Sequence, residues 1–134
     1  HTFTGNPIAA AVANENLKLY EKNKLIQKIQ NTSKIFEKRR DELNQLDLVG
    51  DVRTKGMLMG IELVKNKNQK TPISPKKSIN KIIFDEGKNN GIYLRTLGNV
   101  VMLVPPLAIS TKELDLLIDR TILTIKKTEK KYDL

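Results

Sequence analysis

The chain has 134 residues, of which 39% are hydrophobic and 29% are charged, with a formal net charge of +9. These values predict a single folded region of ordinary domain size rather than a disordered chain. The absence of Cys excludes disulfides, zinc-thiolate sites and Cys nucleophiles, and the single His leaves no His-based triad or metal cluster. No apolar run reaches the roughly 20 residues of a membrane span and no segment resembles a signal peptide, so a cytoplasmic protein is expected.

Two helices are predicted at the start of the chain. Asn6 and Pro7 form a helix entrance, because an N-cap Asn accepts a backbone N–H and Pro at the first position gives up only an unpaired donor. The first helix reaches about Asn23, and the second covers residues 24–44 with its charges opposite its apolar side chains. Both helices are expected to be only partly covered by the rest of the chain.

The middle of the chain has the short apolar runs of β-strands. Strands are predicted at residues 48–53 and 57–64, with Gly56 in the turn between them. Gly60 within the second run indicates a bulge or a close backbone approach. Residues 65–75 are polar and contain two Pro, which predicts an exposed loop.

A helix and a hairpin are predicted next. The helix covers residues 76–90, and Gly91 stands where a left-handed C-cap is placed. Short strands follow at residues 92–95 and 100–104, with residues 96–99 as the hairpin loop.

A last helix completes an α+β fold. Ser110 and Glu113 form a capping box at its start, and its apolar spacing continues to about Lys130. The resulting order is helix, helix, strand, strand, helix, strand, strand, helix. This order predicts a small, mainly antiparallel sheet covered by helices on one face.

The net charge raises the possibility of a nucleic-acid partner, and the distribution of the charges disfavours it. The 19 Lys and 5 Arg are spread along predicted helices and interleaved with Asp and Glu, as on a solvated helix face. The three Phe and three Tyr are not clustered with basic residues, so a stacking platform for bases is missing. We expect neither a nucleic-acid partner nor a membrane partner.

Few residues are candidates for chemistry on the basis of pattern alone. Arg95, beside a Gly-containing turn, is either a bidentate carboxylate ligand at a strand end or a surface ion-pair residue. Arg53 has the same two interpretations, and Glu62 is either a buried acid or a solvent-facing strand residue. The methionines are predicted to fill the core: Met57, Met59 and Met102.

The first seven residues, HTFTGNP, form a Thr/Gly loop before a helix. Such a loop either offers hydroxyl and N–H groups to a phosphate at the helix N-terminus, or is an ordinary connection. Residues 1–7, 52–63 and 91–106 together resemble, in this order, the C-terminal part of class III pyridoxal-phosphate aminotransferases. The resemblance spans nearly the whole chain and is greater to the biotin-synthesis branch than to the ornithine or 4-aminobutyrate branch.

The resemblance implies a domain arrangement, a cofactor and an assembly. Residues 1–23 correspond to the end of the large domain and the connecting helix, and residues 24–134 to the small C-terminal domain. The cofactor is then pyridoxal 5'-phosphate, the substrates are a small-molecule amino acid and keto acid, and the full-length protein is a homodimer. No metal is expected.

The resemblance also assigns roles to individual residues. Thr2 matches the Thr that reaches the cofactor phosphate bound in the neighbouring subunit, and Phe3 matches a residue beside the cofactor. Arg95 matches the Arg that binds the substrate carboxylate. Asn6 and Gly98 match positions that shape the same region.

Two departures and one gap qualify these implications. Thr96 replaces the Pro usual after the Arg, and Met102 stands where related enzymes often have an aromatic residue. In the family, the Schiff-base Lys and the Asp that pairs with the pyridine nitrogen precede the Thr motif. No catalytic residue is therefore expected in this chain, which has no initiator Met and is expected not to transaminate by itself.

Two further hypotheses stay open at this point. The chain is a piece of another class III aminotransferase, of the ornithine, 4-aminobutyrate or omega-amino acid type, or it is a basic binding module without chemistry.

Overall fold

The computed structural model describes residues 4–131. This part of the chain forms four α-helices and five β-strands, in the order α1 (Pro7–Lys22), α2 (Leu25–Asn44), β1 (Val49–Lys55), β2 (Leu58–Asn66), β3 (Thr71–Pro72), α3 (Ile79–Asn89), β4 (Arg95–Leu97), β5 (Val100–Leu103) and α4 (Thr111–Lys131). A short 3-10 turn at Pro75–Lys77 precedes α3. Within residues 4–131, no helix has both the length and the apolar character needed to cross a bilayer.

All five strands pair in antiparallel fashion in one sheet. The strand order is β1-β2-β5-β4, and β3 pairs with β2 beside this path. Gly56 and Gly98 make the two hairpin turns with φ of +56° and +60°, in the left-handed region that Gly adopts without steric cost. The predicted α+β architecture is confirmed.

One face of the sheet, which we call the inner face, carries the core. Alternate residues of its strands are fully or almost fully buried there: Val52, Met59, Ile61, Val101 and Leu103. They join one cluster with side chains from three helices: Phe36 and Leu43 of α2, Ile83 of α3, and Leu114 and Ile118 of α4. Helices α2, α3 and α4 therefore cover the inner face, and the other, outer face has no helix in this cluster.

Helix α1 begins at the predicted N-cap. The side-chain Oδ1 of Asn6 accepts the backbone N–H groups of Ile8 at 3.0 Å and Ala9 at 3.1 Å. No residue of α1 is buried, and Ile8 and Val12 are 75% and 65% exposed. The expectation that both leading helices are only partly covered is confirmed, since α2 buries only Thr32, Phe36 and Leu43 of its 20 residues.

Arg39 joins α2 to α4. Its guanidinium lies 2.5 Å from Asp119 and 3.3 Å from Asp115, both on α4, and 2.6 Å from Glu42 on its own helix. Partial burial alone lowers the pKa of Arg39, but the hydrogen bonds to Asp119 and Glu42 raise the pKa further than burial lowers it. The guanidinium is thus a fixed positive charge between the two helices.

Two predicted helix ends are confirmed. After α3, Gly91 has a φ of +75° and the N–H of Ile92 donates to the carbonyl of Gly87 at 2.9 Å, which closes the helix. Before α4, the N–H of Glu113 donates to Ser110 Oγ at 3.2 Å, and the N–H of Ser110 donates to Glu113 Oε2 at 3.0 Å. These reciprocal bonds are the predicted capping box.

The predicted second hairpin is misplaced by three residues. Strand β4 begins at Arg95 rather than at residue 92, because the N–H of Ile92 is held by the end of α3 and Leu94 is buried, with its side chain 3.5 Å from where a Gly87 Cβ would lie. Thr96 pairs with Val101 and Leu97 pairs with Val100, so the loop contains only residues 98–99.

Two further strand predictions are wrong. Gly60 carries no bulge, since the irregular register lies at Gly50, and a Cβ on Gly60 would meet its nearest neighbour at an ordinary 3.4 Å. Residues 65–75 are not wholly a loop, because Pro72 of β3 pairs with Val64 and extends the sheet.

Candidate functional site

The N-terminal candidates fall partly outside the structure's range. Thr2 and Phe3 lie outside the described residues. Asn6 is described and serves as the N-cap of α1. Gly98 makes the β4–β5 turn, and Asn99 beside it anchors that turn to β2 by donating its side-chain N–H to the carbonyl of Leu63 at 2.8 Å.

Arg95 is the first residue of β4, an edge strand, rather than the last residue of a strand as predicted. It pairs directly with Met102 of β5 and is exposed. Among residues 4–131, no carboxylate forms an ion pair with the guanidinium of Arg95 and no group forms a hydrogen bond with that guanidinium. Its guanidinium donors are therefore not occupied by the described part of the chain.

A cavity of about 630 Å³ opens beside Arg95. Arg95 is the one charged residue in its described lining, and most of the lining is apolar, including Met102, Leu103, Val104, Pro105, Pro106 and Ile109. A guanidinium presents paired N–H donors that match a carboxylate, and an apolar wall suits a hydrocarbon chain. The arrangement can bind a carboxylate that carries an apolar chain.

Arg53 occupies the opposite edge of the same sheet and has a different environment. Its Nε lies 3.1 Å from Asp51 and its Nη2 lies 3.2 Å from Glu62. The interpretation of Arg53 as a surface ion-pair residue fits this geometry. Glu62 faces the outer side of β2 as the partner of Arg53, which fits its solvent-facing interpretation.

The lysines of the described residues lie at the surface of the fold. All of them are exposed except Lys67, which is half-buried. The ammonium group of Lys67 donates to the carbonyls of Asn44 and Leu46 at the end of α2. The lysines of the described residues thus include no buried amine without a partner.

The prediction that Met102 fills the core like the other methionines is wrong. Met57 and Met59 fill the core as predicted, but Met102 is half-buried and lines the cavity. Its neighbours Val101 and Leu103 are the buried ones, so the period of two along β5 turns Met102 to the outer face. That alternation was a signal available in the sequence.

The comparisons with known proteins agree with this fold. The aminotransferase class-III family matches residues 1–125. The chain is 45% identical over 113 residues to the adenosylmethionine-8-amino-7-oxononanoate aminotransferase of Staphylococcus aureus, covering 84% of this chain and 25% of that enzyme. It is 40% identical over 119 residues to the enzyme of the same name from Geobacter sulfurreducens, covering 89% of this chain and 26% of that enzyme.

A solved structure of an enzyme with the same name is also similar to this chain. The adenosylmethionine-8-amino-7-oxononanoate aminotransferase of Methanocaldococcus jannaschii superposes with a TM-score of 0.88 at 40% identity, over 95% of this chain and 29% of that chain. The chain spans about a quarter of the length of the curated relatives it matches. Since the family match extends over residues 1–125, the chain belongs to the class III aminotransferases.

Proposed function

We propose that this chain is the C-terminal part of an aminotransferase that converts 8-amino-7-oxononanoate to 7,8-diaminononanoate in biotin synthesis. S-adenosylmethionine is the proposed amino donor. The names of the two curated relatives, at 45% and 40% identity, support this choice of substrates within the family. In this proposal, Arg95 binds the carboxylate of the amino-oxo acid.

The observation that carries the proposal is the environment of Arg95. It faces a largely apolar cavity and has no ion-pair partner among residues 4–131, whereas Arg53 on the same sheet is bound by two carboxylates. An oxo acid with a carboxylate at the end of a hydrocarbon chain complements this cavity in two ways. It supplies the charge partner of the guanidinium and apolar atoms for the wall.

The proposed cofactor is pyridoxal 5'-phosphate, with Thr2 and Phe3 contributing to its binding in a homodimer. Residues 1–23 then belong to the large domain and its connecting helix, and residues 24–134 form the small domain. The exposed apolar side chains of α1 support this division, because they are free to pack against another part of a longer protein.

The described residues do not fit the covalent attachment of this cofactor. Their lysines are exposed, apart from Lys67, whose ammonium group already donates to two carbonyls. A cofactor aldehyde needs a positioned, desolvated amine. We therefore expect that the 134-residue chain mixed with pyridoxal phosphate is not labelled on one specific lysine after borohydride reduction. Stable labelling of a single lysine, found by peptide mapping, would contradict this.

The decisive experiment replaces Arg95 in the full-length enzyme. Arg95→Ala is expected to raise KM for 8-amino-7-oxononanoate by roughly ten- to hundredfold, the loss of a hydrogen-bonded charge pair. KM for the amino donor and the melting temperature stay nearly constant. Arg95→Lys restores little, because an ammonium cannot reproduce the paired donors of a guanidinium.

Arg53→Ala is the matched control, since Arg53 is also an exposed outer-face arginine but is already ion-paired. It should leave KM unchanged. Equal KM values for wild type and Arg95→Ala would remove Arg95 from the substrate site. If the full-length enzyme prefers 4-aminobutyrate or ornithine over the amino-oxo acid, the chain is still a class III aminotransferase but the proposed biotin-synthesis substrate is wrong.

A further inference from the structure

Four residues form a row across the outer face of the sheet. Arg53 pairs with Gly60, Gly60 with Met102, and Met102 with Arg95, so the four residues lie directly opposite one another on four neighbouring strands. Directly opposed residues of antiparallel strands project to the same side, with Cβ atoms about 4.5–5.5 Å apart. Met102 is therefore the immediate outer-face neighbour of Arg95 within the sheet.

Gly60 leaves room for Met102 on the side away from Arg95. A Cβ built on Gly60 would lie 3.8 Å from the Met102 sulfur, so the thioether lies next to the space that a side chain at this position would fill. The Met side chain is unbranched and flexible, and it adapts to the surface it packs on. Met102 is half-buried, which leaves part of its surface in the cavity.

The apolar surface continues along the chain from Met102. Val104 is two residues further on, 62% exposed, and lines the same cavity, as do Pro105 and Pro106. A carboxylate bound at Arg95 would have its adjoining methylene groups beside these side chains. No charged side chain other than Arg95 lines this cavity in the part of the chain that the structure describes.

We propose that Met102 is a specificity-determining residue that contacts the hydrocarbon chain of the substrate whose carboxylate binds Arg95. This inference rests on the proposed function and assigns a separate task to a second residue. Arg95 recognises the carboxylate, and Met102 selects for the length and apolar character of the chain attached to it. A substrate with a short or polar chain gains nothing from Met102.

The test measures inhibition constants of straight-chain monocarboxylates, from butanoate to octanoate, against the amino-oxo acid in the full-length holoenzyme. In the wild type, each added methylene should tighten inhibition by about two- to fourfold, the range expected for burying CH₂ groups. Met102→Gln, which keeps the side-chain length but adds a polar amide, should reduce this factor to below about 1.5-fold. Met102→Leu should keep it.

Two controls separate this inference from the proposed function. Leu58→Gln changes another outer-face apolar residue, 47% exposed and absent from the cavity lining, and should leave the chain-length dependence intact. Arg95→Ala should weaken inhibition by all chain lengths together while preserving the factor per methylene.

The outcomes are distinguishable. If Arg95→Ala weakens all the carboxylates but Met102→Gln keeps the wild-type factor per methylene, the inference about Met102 is wrong and the proposed function stands. If Arg95→Ala changes no inhibition constant, both fail. If Met102→Gln weakens every carboxylate equally, Met102 acts through Arg95 and does not contact the chain, which also overturns the inference.

Discussion

Neighbouring residues of the same strand have different surroundings on the two faces of the sheet. On the inner face, Met59 and Ile61 are fully buried under the helices. On the outer face, Gly60 between them belongs to the row that ends in Arg53 and Arg95. The buried side chains of β2 and the row that contains Arg95 are therefore separated by one residue along β2 and by the pleat of the strand. Substitutions on one face should leave the other nearly unaffected.

The outer face also shows that equal exposure does not imply equal availability. Arg53 and Arg95 are both exposed and lie in one row, but Arg53 is flanked by Asp51 and Glu62. No corresponding acid lies beside Arg95 in residues 4–131. The acids placed around Arg53, rather than burial, distinguish the two guanidiniums.

The largest effect on the free energy of unfolding is expected from shortening a buried side chain on the inner face. Ile61→Ala should lower the free energy of unfolding of the chain by about 2–5 kcal/mol, through lost burial and the cavity left behind. Leu58→Ala, on the outer face of the same strand, should cost less than about 1 kcal/mol. Urea unfolding of both variants provides the measurement. Similar losses for the two variants would break the distinction between the faces.

Two glycines of neighbouring strands sharpen the comparison. A Cβ on Gly50 would approach Val64 Cγ1 to 2.6 Å, and Val64 is a buried, branched side chain with little freedom to move. Gly50→Ala should therefore destabilise by about 1–3 kcal/mol. Gly60→Ala, whose Cβ would meet only ordinary contacts, should change stability by less than about 1 kcal/mol and is expected to stabilise. A loss for Gly60→Ala as large as that for Gly50→Ala would show that the surroundings of Gly60 are packed as tightly as those of Gly50.

The helix ends could be predicted from the sequence because their chemistry is local. Asn6, Gly91 and Ser110 each satisfy backbone groups within a few residues of themselves, so a short sequence window contains the whole interaction. The start of β4 could not be predicted in this way. It depends on Leu94 being buried and on Ile92 closing the end of α3, which are tertiary contacts.

The candidate site was predictable only in part for the same reason. The pattern allows the same two interpretations at Arg53 and at Arg95, and the resemblance to the family, rather than the pattern, assigned substrate binding to Arg95. The neighbours of each arginine depend on strand register, which joins β1 to β2 and β4 to β5. Met102 could have been placed by the alternation along β5, but its position over Gly60 required the pairing of β2 with β5.

A smaller effect is expected from removing the paired arginine of the outer face. Arg53 is 70% exposed at its side chain, so its ion pairs with Asp51 and Glu62 are largely screened by solvent. Arg53→Ala should change the free energy of unfolding by about 0–1 kcal/mol, and the difference should shrink in high salt. Urea unfolding at low and high ionic strength tests this. A salt-independent loss above this range would mean that Arg53 contributes packing to the sheet.

The smallest effect concerns the helix that covers part of the inner face. The Ser110 hydroxyl and backbone N–H donate to Glu113 and hold the pKa of this carboxyl below its usual value at the start of α4. Because the pKa is lowered in the folded chain, the stabilisation is present above the ordinary Glu pKa of about 4.3 and is lost as the pH falls through the lowered value.

Glu113→Gln keeps an acceptor that does not titrate, so the wild type should be the more stable protein near neutral pH. Their difference in urea midpoint should narrow steadily as the pH falls below about 4, since the other carboxylates titrate equally in both proteins. A difference that is constant from pH 7 to pH 3 would show that the carboxylate charge does not stabilise the start of α4, and that the hydroxyl of Ser110 alone caps it.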